Sequence, residues 1–398
     1  MKRRRQQQRV TRAAAATLTA TLMTVGAACA PDPVPPPPAP TLPEGIGFDW
    51  IRDTSDTSTA EYERLRLLNG VVDGPTPVTP SATAFGPAAA RSIAMYNIPV
   101  FPDGTARFPW NGFAGEGITT EVSTATTPTG TTTTYEVTGA GGTCSFTNES
   151  TTYPTRKVSA AIPSPDGTKL AVYSQYQDFD AANVTWMSIH DLDDTCALRS
   201  ERSYNWSSYI SVSGERILSS MTVWAPDSSE VVYPVGWPTS GGSSRVDRLG
   251  VNGVPTPSVV LSASDSTLFP LGWSPAGRVL VTRQTHGTGV ATTSSSIETV
   301  PVDGGTPKVI DSKSIAAPMP EPLFHFGYVV PGTSKVLYTG GPRTTTLGGT
   351  VWAWPEIRLH DDATGGDGPV AETAAPLATH TTSSGEVPNA EFIERFVR

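Results

Sequence analysis

Ser164-Pro-Asp-Gly-Thr-Lys-Leu-Ala-Val-Tyr173 holds a complete tight turn and the strand that leaves it. Proline fixes φ for the first half of the turn, Asp and Gly suit its second half, and the apolar run pairs back as a hairpin strand. The device returns three times. Trp224-Ala-Pro-Asp227 precedes Glu230-Val-Val-Tyr233, Trp273-Ser-Pro-Ala-Gly277 precedes Val279-Leu-Val-Thr282, and Val330-Pro-Gly332 precedes Lys335-Val-Leu-Tyr338. The turn residues are therefore Pro165, Asp166 and Gly167; Pro226 and Asp227; Pro275 and Gly277; and Pro331 and Gly332.

A second turn follows each of these at a steady distance: Ile189-His-Asp-Leu-Asp193, Leu249-Gly-Val-Asn-Gly253, Val300-Pro-Val-Asp-Gly-Gly305 and Leu359-His-Asp-Asp362 lie 28, 26, 28 and 30 residues beyond the turn prolines. Further candidate strands come next, as in Val259-Val-Leu261 and Lys308-Val-Ile310, so a unit reads as four strands in roughly 50 residues. Four antiparallel strands repeated at that length are what a β-propeller blade requires, because one blade cannot cover its own faces. Composition agrees. Gly and Pro, 37 of each in 398 residues, with only 16% charged residues, fit short strands and turns and exclude helical bundles.

Ser164-Pro-Asp-Gly-Thr-Lys-Leu-Ala-Val172 and Ile297-Glu-Thr-Val-Pro-Val-Asp-Gly-Gly-Thr-Pro-Lys-Val309 resemble the WD-repeat-like blades of TolB-type propellers, over about residues 155–375. Ala276 departs from that pattern at the Asp, and Val329-Val330 depart from it at Trp-Ser. The resemblance implies a protein-interaction role in the bacterial envelope, although the N-terminal domain of that family is not evident in residues 44–84. A weaker copy, Val100-Phe-Pro-Asp-Gly104, lies upstream, and Phe392-Ile-Glu-Arg-Phe396 is placed to pair beside N-terminal strands and close the ring. The expectation is a single all-β propeller over residues 85–398, with six blades, five or seven also fitting. Ser58-Thr-Ala-Glu61 reads as a capping box, with Tyr62, Leu65 and Leu68 on one face and Gly70 as a stop, which predicts a short helix in segment 44–84.

Lys2, Arg3, Arg4, Arg5, Arg9 and Arg12 precede an uncharged run from Ala13 to Ala28, the shape of a secretory signal peptide over residues 1–28. Its removal takes six cations and no acids, leaving 22 against 37 and a net charge of −15 instead of −9. That balance excludes nucleic acid as a partner on electrostatic grounds. Gly26-Ala27-Ala28-Cys29 resembles a lipobox, with Gly26 where Leu is usual, and predicts lipidation of Cys29. Eight prolines between Pro31 and Pro43 extend residues 29–43 as a polyproline tether of about 40 Å. The chain is thus expected to be exported, either held on the outer face of the membrane by its lipid alone or secreted, and to act as a monomer.

Cys144 and Cys196 form a candidate disulfide in an oxidising compartment; both are expected to begin outer strands of adjacent blades, where equivalent positions normally lie out of reach. The histidines are His190, His286, His325, His360 and His380, the first and fourth at matching places in the repeat. Oligogalacturonate lyases, which share the propeller architecture, carry a His-rich metal centre. No His-x-x-x-His or Cys-x-x-Cys spacing supports one here. There is no Gly-x-Ser-x-Gly elbow, and Ser164-Pro-Asp-Gly167 lacks the spacing of a sialidase Asp box. Trp224 and Trp273 align in the repeat and read as packing residues, whereas Trp352-Ala-Trp354 is the better candidate for an exposed pair. The reading is a non-catalytic module that binds an unidentified protein or envelope component, with no catalytic residue, metal or cofactor. The alternative is a propeller lyase or glycan hydrolase, which needs at least three of His190, His286, His325, His360, Asp191 and Asp361 to converge at one channel mouth.

Overall fold

The computed structural model describes residues 40–53, 62–78, 118–128, 130–149, 156–176, 182–207, 222–235, 244–252, 258–286, 292–319, 327–340, 345–346, 349–350, 356–372, 380–382, 385–387 and 391–398. In chain order the strands are β1 (Gly47–Asp53), β2 (Tyr62–Leu68), β3 (Val71–Val78), β4 (Thr119–Thr127), β5 (Gly130–Gly139), β6 (Gly142–Glu149), β7 (Arg156–Pro163), β8 (Lys169–Tyr176), β9 (Ala182–Asp191) and β10 (Leu198–Ser207). They continue with β11 (Val223–Trp224), β12 (Glu230–Val235), β13 (Ser244–Gly250), β14 (Ser258–Ala263), β15 (Ser266–Ser274), β16 (Arg278–His286), β17 (Thr292–Pro301) and β18 (Lys308–Met319). The last are β19 (Gly327–Val329), β20 (Lys335–Gly340), β21 (Thr345–Thr346), β22 (Gly349–Thr350), β23 (Glu356–Asp361), β24 (Asp367–Glu372), β25 (His380–Thr382), β26 (Gly385–Val387) and β27 (Glu391–Val397). The described residues are all-β.

Five sheets have four antiparallel strands. The first sheet is ordered β27-β1-β2-β3, the third β10-β9-β8-β7, the fourth β11-β12-β13-β14, the fifth β15-β16-β17-β18 and the sixth β19-β20-β23-β24. The second sheet, β4-β5-β6, has three, and β21-β22 and β25-β26 are small hairpins. The expected helix is corrected: Tyr62–Leu68 is β2, between β1 and β3. Leu65 and Leu67 are buried at a period of two, and Asn69-Gly70, with φ of 52° and 75°, is a hairpin turn rather than a helix stop. The capping box at residues 58–61, the copy at residues 100–104, and residues 1–39 lie outside the described residues.

The apolar runs are continuous because both faces of a sheet are covered, and alternate residues serve different neighbours. In β8, Leu170 and Val172 pack with Val137 and Cys144 of the second sheet, while Ala171 and Tyr173 pack with Trp224, Val231 and Tyr233 of the fourth. In β16, Val279 and Val281 turn to the fourth sheet and Leu280 to the sixth. In β20, Val336 and Tyr338 turn to the fifth sheet and Leu337 to the first, where Phe48, Trp50 and Phe396 lie. Cores thus lie between consecutive sheets from the second through the sixth and on to the first.

Two irregularities repeat. The last strand carries one extra residue against its neighbour at Arg199, Val260, Ile310 and Val370. The first strand carries one at Ser159, Leu271 and Glu394. These bulges twist the strand and shift which side chains face the core. Glu394 lies on β27, so the C-terminal strand has the irregularity of a first strand as well as its place.

Candidate functional site

The predicted proline turns all join the first two strands of a sheet. Each closes with a backbone hydrogen bond, as in Gly167 N–H to Ser164 O and Gly277 N–H to Ser274 O, both about as expected for a tight turn. The left-handed position is filled by Gly167, Gly277 and Gly332, and in the fourth sheet by Ser228 at φ 60°. The sequence pattern marks only Pro226 and Asp227 in that turn. Ser228 accepts a hydrogen bond on Oγ from Asp166 N–H of the neighbouring turn at 3.2 Å. The second turn of each sheet then hydrogen-bonds to the first: Leu192 N–H to Thr168 O, Val251 N–H to Ser229 O, Val302 N–H to Gly277 O and Asp362 N–H to Ser334 O. Asp166 lies below the usual carboxylate range, because bonds from Ser164, Thr168 and Ser228 outweigh its burial. In Asp227 the bonds from Ser229 have the same effect.

Of the six residues from which an enzyme site would draw at least three, five are described with their surroundings, and four of them are hydrogen-bonded or ion-paired near their own strand. His190 has Nδ1 3.0 Å from Cys196 O and Nε2 3.1 Å from Ser188 Oγ, with its ring edge-on to Phe146. His286 Nε2 is 2.7 Å from Thr267 Oγ1. Asp191 pairs with Arg199 and Lys169, and the Arg199 bond first of all holds its carboxyl below the usual range. Asp361 accepts from Ala363 N–H and Ser334 Oγ. His360 is buried beside Asp362 and Asp367. His325 and Trp352-Ala-Trp354 lie outside the described residues. His190 and His360 do hold matching places, opposite Leu170 and Val336 on the neighbouring strands. No three His, Cys, Asp or Glu among the described residues are grouped to hold a metal ion.

Two seams between sheets differ in kind, the first holding the candidate disulfide and the second an ion-pair cluster that the sequence does not signal. Between the second and third sheets, Cys144 and Cys196 form a disulfide with Cα atoms 5.5 Å apart. The expectation that both begin outer strands is corrected in half: Cys144 lies on β6, but Cys196 sits in the turn before β10 at φ 48°. The approach needs glycine. A Cβ at Gly139 would stand 2.3 Å from Gly167 O, and one at Gly141 2.4 Å from Leu192 O.

Between the fifth and sixth sheets, Asp362 receives Arg278 Nε at 3.0 Å and Lys308 Nζ at 2.9 Å, with Thr299 Oγ1 at 3.3 Å. All three come from the fifth sheet. Behind it, Asp367 is bound by Arg358 Nε at 2.8 Å and Tyr338 Oη at 2.7 Å. Burial alone would raise the Asp367 carboxyl, but His360, then Tyr338 and Arg358, hold it at about 2. Burial and the Asp367 contact push the Tyr338 hydroxyl well above its ordinary value. Each four-stranded sheet also has a carboxylate paired with an arginine: Asp49 with Arg66, Asp191 with Arg199, Asp247 with Arg245, Glu298 with Arg283 and Asp367 with Arg358. These Arg pairs neutralise charge that the stacked sheets bury.

The described residues thus define an all-β protein of successive antiparallel sheets, five of them four-stranded. No family model matches the chain, and no curated protein matches it. Among solved structures, a Bacteroides ovatus protein described as a dipeptidyl aminopeptidase IV aligns over 83% of this chain and 47% of its own, at 11% identity and a TM-score of 0.42. A Mycobacterium tuberculosis puromycin-hydrolyzing peptidase aligns over 86% and 54%, at 13% identity and 0.32. A mutant apocarotenoid oxygenase of Synechocystis aligns over 84% and 80%, at 8% identity and 0.38. The chain spans about half the length of the two peptidases.

Proposed function

We propose that this chain is an exported, lipid-anchored β-propeller of the TolB-like kind, acting as a non-catalytic binding module at the cell envelope. The observation that carries the propeller is the pairing of β27 with β1: a strand from the far end of the chain takes the first place in the first sheet, and cores lie between consecutive sheets from the second through the sixth and on to the first. Six sheets make the ring. The binding role is supported by His190, His286, Asp191 and Asp361, four of the residues an enzyme could use, each held by partners in its own sheet. A tether at Cys29 and a proline stalk would keep the ring off the membrane with its loops turned to a protein or envelope partner. The net charge of −15 after processing speaks against nucleic acid.

Intact mass spectrometry of the membrane fraction tests the anchor: the mass of residues 29–398 plus a diacylglyceryl group is expected, and an unmodified secreted chain overturns it. Incubation of the purified chain with envelope glycan and peptides tests the rest. New chain ends that vanish when His190 or His360 is substituted would replace the binding module with a lyase or glycan hydrolase.

A further inference from the structure

In the third to sixth sheets a tight turn joins strands one and two, but in the first sheet those strands are β27 and β1, from distant parts of the chain, and no turn joins them. Their pairing ends at Gly47 and Val397. Residues 41–46, which run into β1, fill the place of the missing turn. Ile46 N–H donates to Pro43 O at 3.0 Å, with Gly45 left-handed at φ 75°, so the segment closes as a tight turn of its own. Gly45 N–H then donates to Asn69 Oδ1 at 3.3 Å, in the second turn of the same sheet, which repeats the tie between first and second turns seen in the third to sixth sheets. On the other side, Lys335 Nζ of the sixth sheet donates to Thr41 O at 2.6 Å. Between these ends Leu42 and Ile46 pack on the core that the first sheet shares with Leu337, Ile357 and Leu359 of the sixth. Gly47 lets the segment in: a Cβ there would stand 2.1 Å from Leu67 O.

We propose, resting on the reading of the six sheets as a closed ring, that residues 41–46 are a strap that locks the ring where it closes. Seated, the strap holds the sixth sheet to the first across the joint of β27 with β1; lifted, it uncovers that joint and lets it open before the rest. Lifting exposes Leu42, Ile46 and the edge of their core to water, so apolar burial favours the seated position. The bonds to Asn69 and Lys335 are exposed, and water replaces such bonds at little cost, so they locate the strap more than they hold it. Residues 41–43 belong to the proline run read from composition as a tether, so that run meets the ring at Thr41. A pull carried along the tether therefore reaches the closure joint before any other part of the ring.

Amide hydrogen exchange of the full chain at a single pH tests this. In the native protein β1 and β27 should be protected. Leu42→Asp, which sets a charge against the core edge, should raise exchange in residues 47–53 and 391–397 about tenfold, with residues 169–176 and 230–235 changing less. Lys335→Met should raise it about twofold in the same two segments, and Val309→Asp, exposed on the fifth sheet, should leave them as they were. Equal exchange in the native protein and both strap variants, or a rise of the same size in the third and fourth sheets, overturns the strap while the closed ring stands. Free exchange of residues 391–397 in the native protein overturns the ring and the strap together. Should Leu42→Asp not fold, Lys335→Met decides on the same terms.

Discussion

Between the second and third sheets the joint is covalent and steric: the Cys144–Cys196 bond spans it, and Gly139 and Gly141 let two backbones come as close as side-chain-free residues permit. Between the fifth and sixth sheets one carboxylate, Asp362, gathers an arginine, a lysine and a threonine from three strands, with His360 and Asp367 behind. Both seams also share apolar cores. The first should be indifferent to salt and sensitive to reductant; the second should respond to salt through its half-exposed lysine. The seam between the third and fourth sheets is intermediate. Trp224 fills its core and donates Nε1–H to Ile162 O at 2.9 Å.

The largest expected effect is removal of the covalent joint. Cys144→Ala with Cys196→Ala should lower the unfolding free energy by about 3–4 kcal/mol, read by urea titration, and reductant should bring the native protein to the same midpoint. An equal midpoint in variant and oxidised protein would show that the glycine contacts suffice. Next, Asp362→Ala leaves Arg278 and Lys308 without their shared acid and should cost about 2 kcal/mol, with the remaining stability less dependent on salt. If Asp362→Ala and the double cysteine variant respond alike to salt, the contrast between the seams is wrong. Trp224→Phe should cost about 1–2 kcal/mol through a smaller side chain and an orphaned carbonyl.

Acid should act on the third, fourth and sixth sheets in the same direction. Asp367, held at about 2, and Asp166, Asp191, Asp227 and Asp361, all lowered, give up their protons more readily when folded. Their stabilisation is complete above the unfolded carboxyl value near 4 and is lost as pH falls toward 2. A urea midpoint that stays level from pH 5 to 2 would contradict this. The smallest effect is expected at Ser228→Gly. Relief of a left-handed φ and loss of the bond to Asp166 N–H should nearly cancel, within about 0.5 kcal/mol.

Much of this was readable along the chain. The turn prolines and the spacing to the second turn located the hairpins of the third to sixth sheets, and the pairing of residues 392–396 with N-terminal strands followed from the need to cover an edge. The helix at Tyr62–Leu68 was misread because Tyr62, Leu65 and Leu68 also suit a helical face. The alternative period, Leu65 and Leu67 before Asn69-Gly70, wins only because β1 and β3 lie on either side to take the hydrogen bonds. The Asp362 cluster had no sequence signal at all, since its partners stand 54 to 84 positions upstream.

Turn chemistry is settled within four residues, where proline's ring and glycine's missing Cβ restrict φ whatever else the chain does, so the sequence alone determined an all-β chain of repeated hairpins. Which face of each strand met which neighbour, where bulges at Val260 and Ile310 turned a side chain inward, and which acids met which bases depended on sheets distant in sequence. Those were decided by tertiary packing, because burial and ion pairing are energies of proximity that no local pattern encodes.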